Sequence, residues 1–319
     1  MGSQAGSTIR IRRQRIARAL IGPAVSLVVL LVGMTALWAL DMRLHTKFDR
    51  VAGLNHRGYR GRVLGRKQSG EVRIGLFGGS VAMGYGVKNE QTIATLLERS
   101  LNAEEAGAGR PPKYTVANLA SNGETGLAFF QANYELFDDL DLDTLIFYVW
   151  KDGPDVQEQK FSQRSANPFM RYFGYYWILP TVARERYYLA RYGDIEKGYK
   201  EDRLFSGLDR PWGNDPNKST NVTQSLTAFI NGVVQSHKTV ILALQPGDRA
   251  DGPDMWADFR RFYTEQFANS KGVIIADLRS AFPTAEWSSH FVDAMHYSEK
   301  GNRAVARALT TTYLQHAGR

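Results

Sequence analysis

The chain has 319 residues, an ordinary apolar content of 43% and no cysteine. That length suits one substantial α/β domain plus an anchor; the composition excludes wholesale disorder, and the missing cysteines exclude disulfides, thiolate nucleophiles and Cys-based zinc sites. The formal net charge of +8 points to anionic partners, but no recognisable nucleic-acid-binding motif accompanies it, and nucleic acid is not an expected partner.

Arg10, Arg12, Arg13, Arg15 and Arg18 precede an uncharged run from Ala19 to Leu40. At roughly 22 residues the run matches the thickness of a bilayer core. Gly22, Pro23 and Gly33 are tolerated in membrane helices, and Trp38 suits the headgroup region. A cleaved secretory signal is the alternative, but Leu37-Trp38-Ala39-Leu40-Asp41 offers no convincing cleavage site. The expected division is a basic cytoplasmic tail (1–18), a transmembrane signal anchor (19–41) and a polar, basic lead-in (42–70). Positive charge before the helix puts the N-terminus in the cytoplasm and the bulk of the chain outside it. Arg43, Lys47 and Arg50 on the far side make that asymmetry imperfect.

Residues 71–319 read as one α/β domain. Val72 to Phe77 alternates and then turns apolar, as a buried strand does. Thr92 to Leu101 carries Ile93, Leu96, Leu97 and Leu101 at helical spacing. Tyr114–Leu119, Thr144–Trp150, Val240–Leu244 and Val273–Asp277 supply four more strands. Helices are expected around Leu127–Leu136 and over Arg303–Leu314. Continuously apolar strands alternating with helices imply a parallel sheet covered on both faces. An insertion at about 157–220 breaks the rhythm with a crowd of aromatic and arginine residues. It reads either as a helical excursion packing its rings on the sheet or as a cap over the active site.

Two segments carry chemistry. Gly78-Gly79-Ser80 follows the first strand, so the serine lies on the face where α/β sheets bind ligands. The glycines permit a sharp turn, and a following helix aims free N–H groups at what the serine attacks. Gly79-x-x-x-x-Gly84 is followed by Tyr85, which fails the P-loop pattern, and no G-x-G-x-x-G is present. A structural turn remains an alternative reading of the Gly-Gly-Ser run. The second segment is Asp293-Ala294-Met295-His296. A nucleophilic serine needs a base, and the base needs an orienting carboxylate; an Asp three residues before a His can reach the imidazole from the same short loop. No His-Glu-x-x-His or EF-hand pattern is present, so neither metal nor cofactor is expected.

Together these segments resemble the SGNH/GDSL hydrolase family: Gly78-Gly79-Ser80 with Gly84, Asn118 with Gly123, and Asp293 with His296. The stretch Asn55 to Gly61 is also similar to one that precedes the domain in many secreted or anchored members. The resemblance implies a three-layer α/β/α flavodoxin-like domain. It makes Ser80 the nucleophile, His296 the base and Asp293 its orienter, with the Ser80 and Gly123 N–H groups lining the oxyanion hole. The family's third strand usually ends in a turn whose Asn completes that hole. Here the turn reads Val149-Trp150-Lys151-Asp152-Gly153, and Asn122 or Lys151 stand as substitutes. The expected activity is hydrolysis of acyl esters, O-acetyl foremost, on an extracytoplasmic glycan or lipid. The alternatives are an O-acyltransferase for an exported polysaccharide and an inactive glycan-binding assembly protein on the same fold.

Overall fold

The computed structural model describes residues 4–48, 53–121, 134, 137–149, 168–194, 197–198, 201–202, 222–236, 238–245, 257–267, 269–293 and 295–316. The chain divides into two compact units, Met1–Leu44 and His45–Arg319.

The helix α1 (Gln4–Phe48) makes up the described part of the first unit and ends four residues past its boundary. Its segment Ile21–Thr46 contains an 18-residue window of mean hydropathy 2.2 and is long and apolar enough to cross a membrane. The helix runs past the expected boundary at 41. Asp41, Met42 and Arg43 contain no helix breaker, and the next glycine is Gly53.

The second unit is built on five parallel strands in the order β2-β1-β3-β4-β5. In chain order its elements begin with β1 (Val72–Phe77), α2 (Ser80–Met83), α3 (Ile93–Gly107) and β2 (Tyr114–Asn118). Next come β3 (Thr144–Val149), α4 (Pro168–Phe173), α5 (Leu179–Tyr192) and α6 (Val222–Gln235). The chain closes with β4 (Thr239–Leu244), α7 (Ala257–Phe267), β5 (Val273–Asp277) and α8 (Glu299–His316). The helix expected around Leu127–Leu136 lies almost wholly outside the described residues.

Strand periodicity sorts the core into two layers. Ile74 and Leu76 of β1 join Ile93, Leu97 and Leu101 of α3 and Val305, Leu309 and Tyr313 of α8 in one buried cluster. The alternate residue Phe77 turns to the other face, where its ring lies 5.3 Å from that of Phe147, which lies 5.7 Å from Phe229 of α6. The sheet is therefore covered on both sides, as the continuously apolar strands require.

Two helices differ from their expected extents. The α3 helix continues to Gly107 after Thr92 caps its start by accepting the Thr95 N–H at 3.4 Å. The α8 helix begins at Glu299, earlier than Arg303, because Ser298 caps it: the Gly301 N–H reaches the Ser298 hydroxyl at 3.3 Å. Gly301 reads as a breaker in sequence, yet it is a close approach. A Cβ there would lie 2.2 Å from the carbonyl oxygen of His290.

Candidate active site

The strand order 2-1-3-4-5 places β1 between β2 and β3, with β2 formed after β1 on one side and β3 on the other. The chain changes direction across the sheet there, and in open α/β sheets it is beyond the carboxyl ends of the strands at such a point that ligands bind. Ser80 is the third residue past the end of β1 and the first of α2. Gly78 makes that turn possible, because a Cβ there would fall 2.6 Å from the Cβ of Ala82 and 2.9 Å from that of Tyr148. The Ser80 N–H sits in the first turn of α2, where a helix offers its amides no internal acceptor.

The segment from Phe291 to Tyr297 closes on itself as a short loop. Phe291 and Tyr297 form an antiparallel bridge, and the Val292 N–H donates to the His296 carbonyl at 2.8 Å. Behind it, the Tyr297 and Tyr148 hydroxyls hydrogen-bond at 2.8 Å, tying the loop to β3. Burial pushes both phenols above their usual range. The loop carries Asp293 and His296 to Ser80, 216 residues away in sequence.

The three side chains form one hydrogen-bonded line. His296 Nδ1 lies 2.7 Å from Asp293 Oδ2, and His296 Nε2 lies 2.8 Å from Ser80 Oγ. With its proton on Nδ1, the imidazole donates to the carboxylate and accepts from the serine hydroxyl. The other carboxylate oxygen accepts the backbone N–H groups of Met295 and His296 at 2.9 and 2.8 Å. Burial alone would raise the Asp293 pKa. Those two N–H groups and the imidazole outweigh it and hold the carboxyl below its ordinary value.

Solved structures of G-D-S-L lipolytic proteins are similar to this chain. A member of that family from Veillonella parvula shares 15% identity at a TM-score of 0.42, covering 78% of this chain and 99% of its own. A psychrotrophic esterase from a Pseudoalteromonas species shares 13% at 0.44, covering 78% and 100%. A lipase/acylhydrolase from Enterococcus faecalis shares 15% at 0.42, covering 76% and 95%. No protein-family model and no curated protein matches the sequence.

Of the expected site residues, Ser80, Asp293 and His296 are brought together, whereas Asn122, Gly123 and Lys151 lie outside the described residues. Within the aromatic insertion, Tyr176 and Tyr188 are buried while Phe169, Tyr172 and Phe173 are exposed, so its rings divide between packing and surface. Among the described residues no three His, Asp or Glu side chains gather as metal ligands would.

Two further side chains escaped the sequence reading. The half-exposed ring of Tyr85 lies 4.7 Å from the His296 imidazole, and no local pattern links residues so far apart in the chain. Arg60 is 2% exposed; as one arginine in a basic lead-in, it carried no signal of burial.

Proposed function

We propose that this chain is a membrane-anchored serine ester hydrolase of the SGNH/GDSL type, acting through an acyl-enzyme on Ser80. The observation that carries the reading is the unbroken Asp293–His296–Ser80 hydrogen-bonded line at the carboxyl end of β1. As Ser80 Oγ attacks the ester carbonyl carbon, its proton passes to His296 Nε2. The tetrahedral oxyanion is met by the Ser80 N–H, with Gly123 as the second donor by resemblance to the family. Collapse expels the alcohol, which takes the proton from His296, and leaves the acyl group on Ser80. His296 then deprotonates a water molecule that attacks the acyl-enzyme and releases the acid. Asp293 holds the ring in the required tautomer and stabilises the imidazolium throughout. No cofactor enters this scheme.

The α1 helix supports a substrate held at the membrane or in the envelope: an acylated glycan or lipid outside the cytoplasm. Labelling with a fluorophosphonate, coupled to turnover of p-nitrophenyl acetate, tests the mechanism. The wild type is expected to label stoichiometrically at Ser80, and Ser80→Ala to lose labelling and turnover while remaining folded. Undiminished ester hydrolysis in Ser80→Ala would overturn the assignment.

A further inference from the structure

Residues 55–61, Asn-His-Arg-Gly-Tyr-Arg-Gly, do more than lead into the domain. The Asn55 side chain accepts the Arg57 N–H at 2.9 Å and donates to the Gly61 carbonyl at 3.0 Å, closing the segment into a turn. Gly58 and Gly61 supply positive φ values of 77° and 100°. Tyr59 is buried, its hydroxyl accepting the Leu64 N–H at 2.6 Å. The Arg60 N–H donates to the carbonyl of Asn118, at the end of β2, at 3.1 Å. The turn thus delivers the Arg60 side chain into the interior, where it is 2% exposed.

Its guanidinium grips the segment that follows Ser80. Nη1 donates to the carbonyls of Met83 at 2.8 Å and Gly84 at 2.6 Å, and Nη2 donates to that of Val87 at 2.5 Å. The Asn118 carboxamide adds a second donor to the Met83 carbonyl at 3.2 Å. The far ends of the first two peptide groups converge. The Gly84 and Tyr85 N–H groups both donate to the Ser80 carbonyl oxygen, at 3.0 and 2.9 Å. Two peptide units are therefore polarised in parallel between one cation and the main chain of Ser80, and such chains strengthen each link. The second unit also fixes the start of Tyr85, whose ring rests on His296.

The sequence makes room for this approach. Gly84 has φ 84°, and a Cβ there would stand 2.7 Å from Thr92 Cγ2 and 3.2 Å from Arg60 Nη1. Burial lowers the Arg60 pKa to about 10, with Glu90 opposing the fall, so it is a cation at neutral pH. A lysine ammonium cannot reproduce a planar fork spread over three carbonyls.

We propose that Arg60 is a positioning residue for the nucleophile: through the 83–84 and 84–85 peptide units it sets the main chain at Ser80 and holds Tyr85 against His296. The inference rests on Ser80 being the nucleophile. The test uses the full chain in detergent micelles as wild type and Arg60→Lys. Arg60→Gln covers the case in which the lysine variant does not fold, since it removes the buried charge and keeps an N–H donor. Melting, kcat and KM on p-nitrophenyl acetate, and the rate of fluorophosphonate labelling per folded molecule are measured. A misplaced nucleophile is expected to lower kcat and labelling together by about 10- to 100-fold, with KM within about twofold. A purely structural role would lower the melting temperature and leave labelling per folded molecule unchanged; a folded variant with that behaviour overturns the inference alone. A wild type that does not label at Ser80 overturns the nucleophile assignment and the inference with it.

Discussion

Asp293 shows how much one carboxylate is asked to do. Its two oxygens serve different masters: Oδ2 faces the imidazole, while Oδ1 holds the Met295 and His296 amides and so shapes the loop. Replacing it by Asn keeps the volume but offers Nδ1 an N–H group or a neutral oxygen, which favours the wrong tautomer. Turnover of p-nitrophenyl acetate is expected to fall about 10³- to 10⁴-fold, with the protein still folded. Wild-type turnover in Asp293→Asn would show that another group orients His296. The sign of the acid response follows from the depressed carboxyl pKa. Any stability it contributes is present above the unfolded value of 3.8 and is lost as pH falls through the folded one. The carboxylate therefore stays ionised across the neutral range, as the proposed mechanism needs.

Among the elements, β1 and α8 do most to place the site. At the start of β1, Arg73 is buried and its guanidinium pairs with Glu71 at 3.0 Å. Burial alone would raise the Glu71 pKa, but hydrogen bonds from Arg73, the Gln68 N–H and Thr115 bring it down to about 2. The unfolded chain binds that proton more readily, so the pair's contribution is full above about pH 4.5 and fades as pH falls toward 2. Wild type should exceed Glu71→Gln in urea resistance at pH 6, and the gap should shrink by pH 2.5 as the carboxylate protonates. A gap constant over that range would place the stabilisation elsewhere. At the other end of the chain, Gly301 lets α8 rest on the His290 carbonyl, just before the loop carrying Asp293 and His296. Gly301→Ala should push the two apart, cost on the order of 2–4 kcal/mol in urea unfolding and lower turnover beyond the folded fraction lost. In α3, Leu97 is wholly buried. Its replacement by Ala should cost about 2–5 kcal/mol yet leave turnover per folded molecule unchanged, separating packing from positioning.

At the scale of the whole molecule, a helix able to cross a membrane accompanies a parallel α/β unit. Uncompensated apolar surface of that extent is not stable in water: Val28, Val29, Leu30, Leu31 and Val32 are each more than half exposed. The full chain is therefore expected in the membrane fraction, resisting alkaline carbonate and yielding to detergent. Aspartate at Val28 and Leu31 should release it, since charge at a bilayer centre costs about 3 kcal/mol per residue. Recovery of the unaltered chain in the carbonate supernatant would refute an anchor. Under the proposed function, a chain tethered in this way would act on esters within reach of the bilayer.

Local physics was enough to read the five strands, the two long helices of the first core layer and the apolar segment, and to single out Ser80, Asp293 and His296, whose side chains the structure brings together. Strand periodicity, glycines at a strand end and an Asp three residues before a His are all short-range signals, carried by neighbours in the chain. The limits of α3 and α8 were not legible that way. The start of α8 depends on whether Gly301 breaks a helix or meets a carbonyl, and only the packed His290 answers that. The meeting of Ser80 with His296 across 216 residues is decided by the return of the chain after β5, where Tyr297 bonds Tyr148 of β3 and α8 packs with α3 and β1 in one core cluster. Arg60 is the sharpest case. In sequence it is one charge in a basic stretch, and the expectation for such a charge is solvent. Its burial is compensated by carbonyls of Met83, Gly84 and Val87, whose direction is set by the turn after β1. Residue chemistry is written in the sequence, but the direction of a peptide dipole exists only once the tertiary structure has formed.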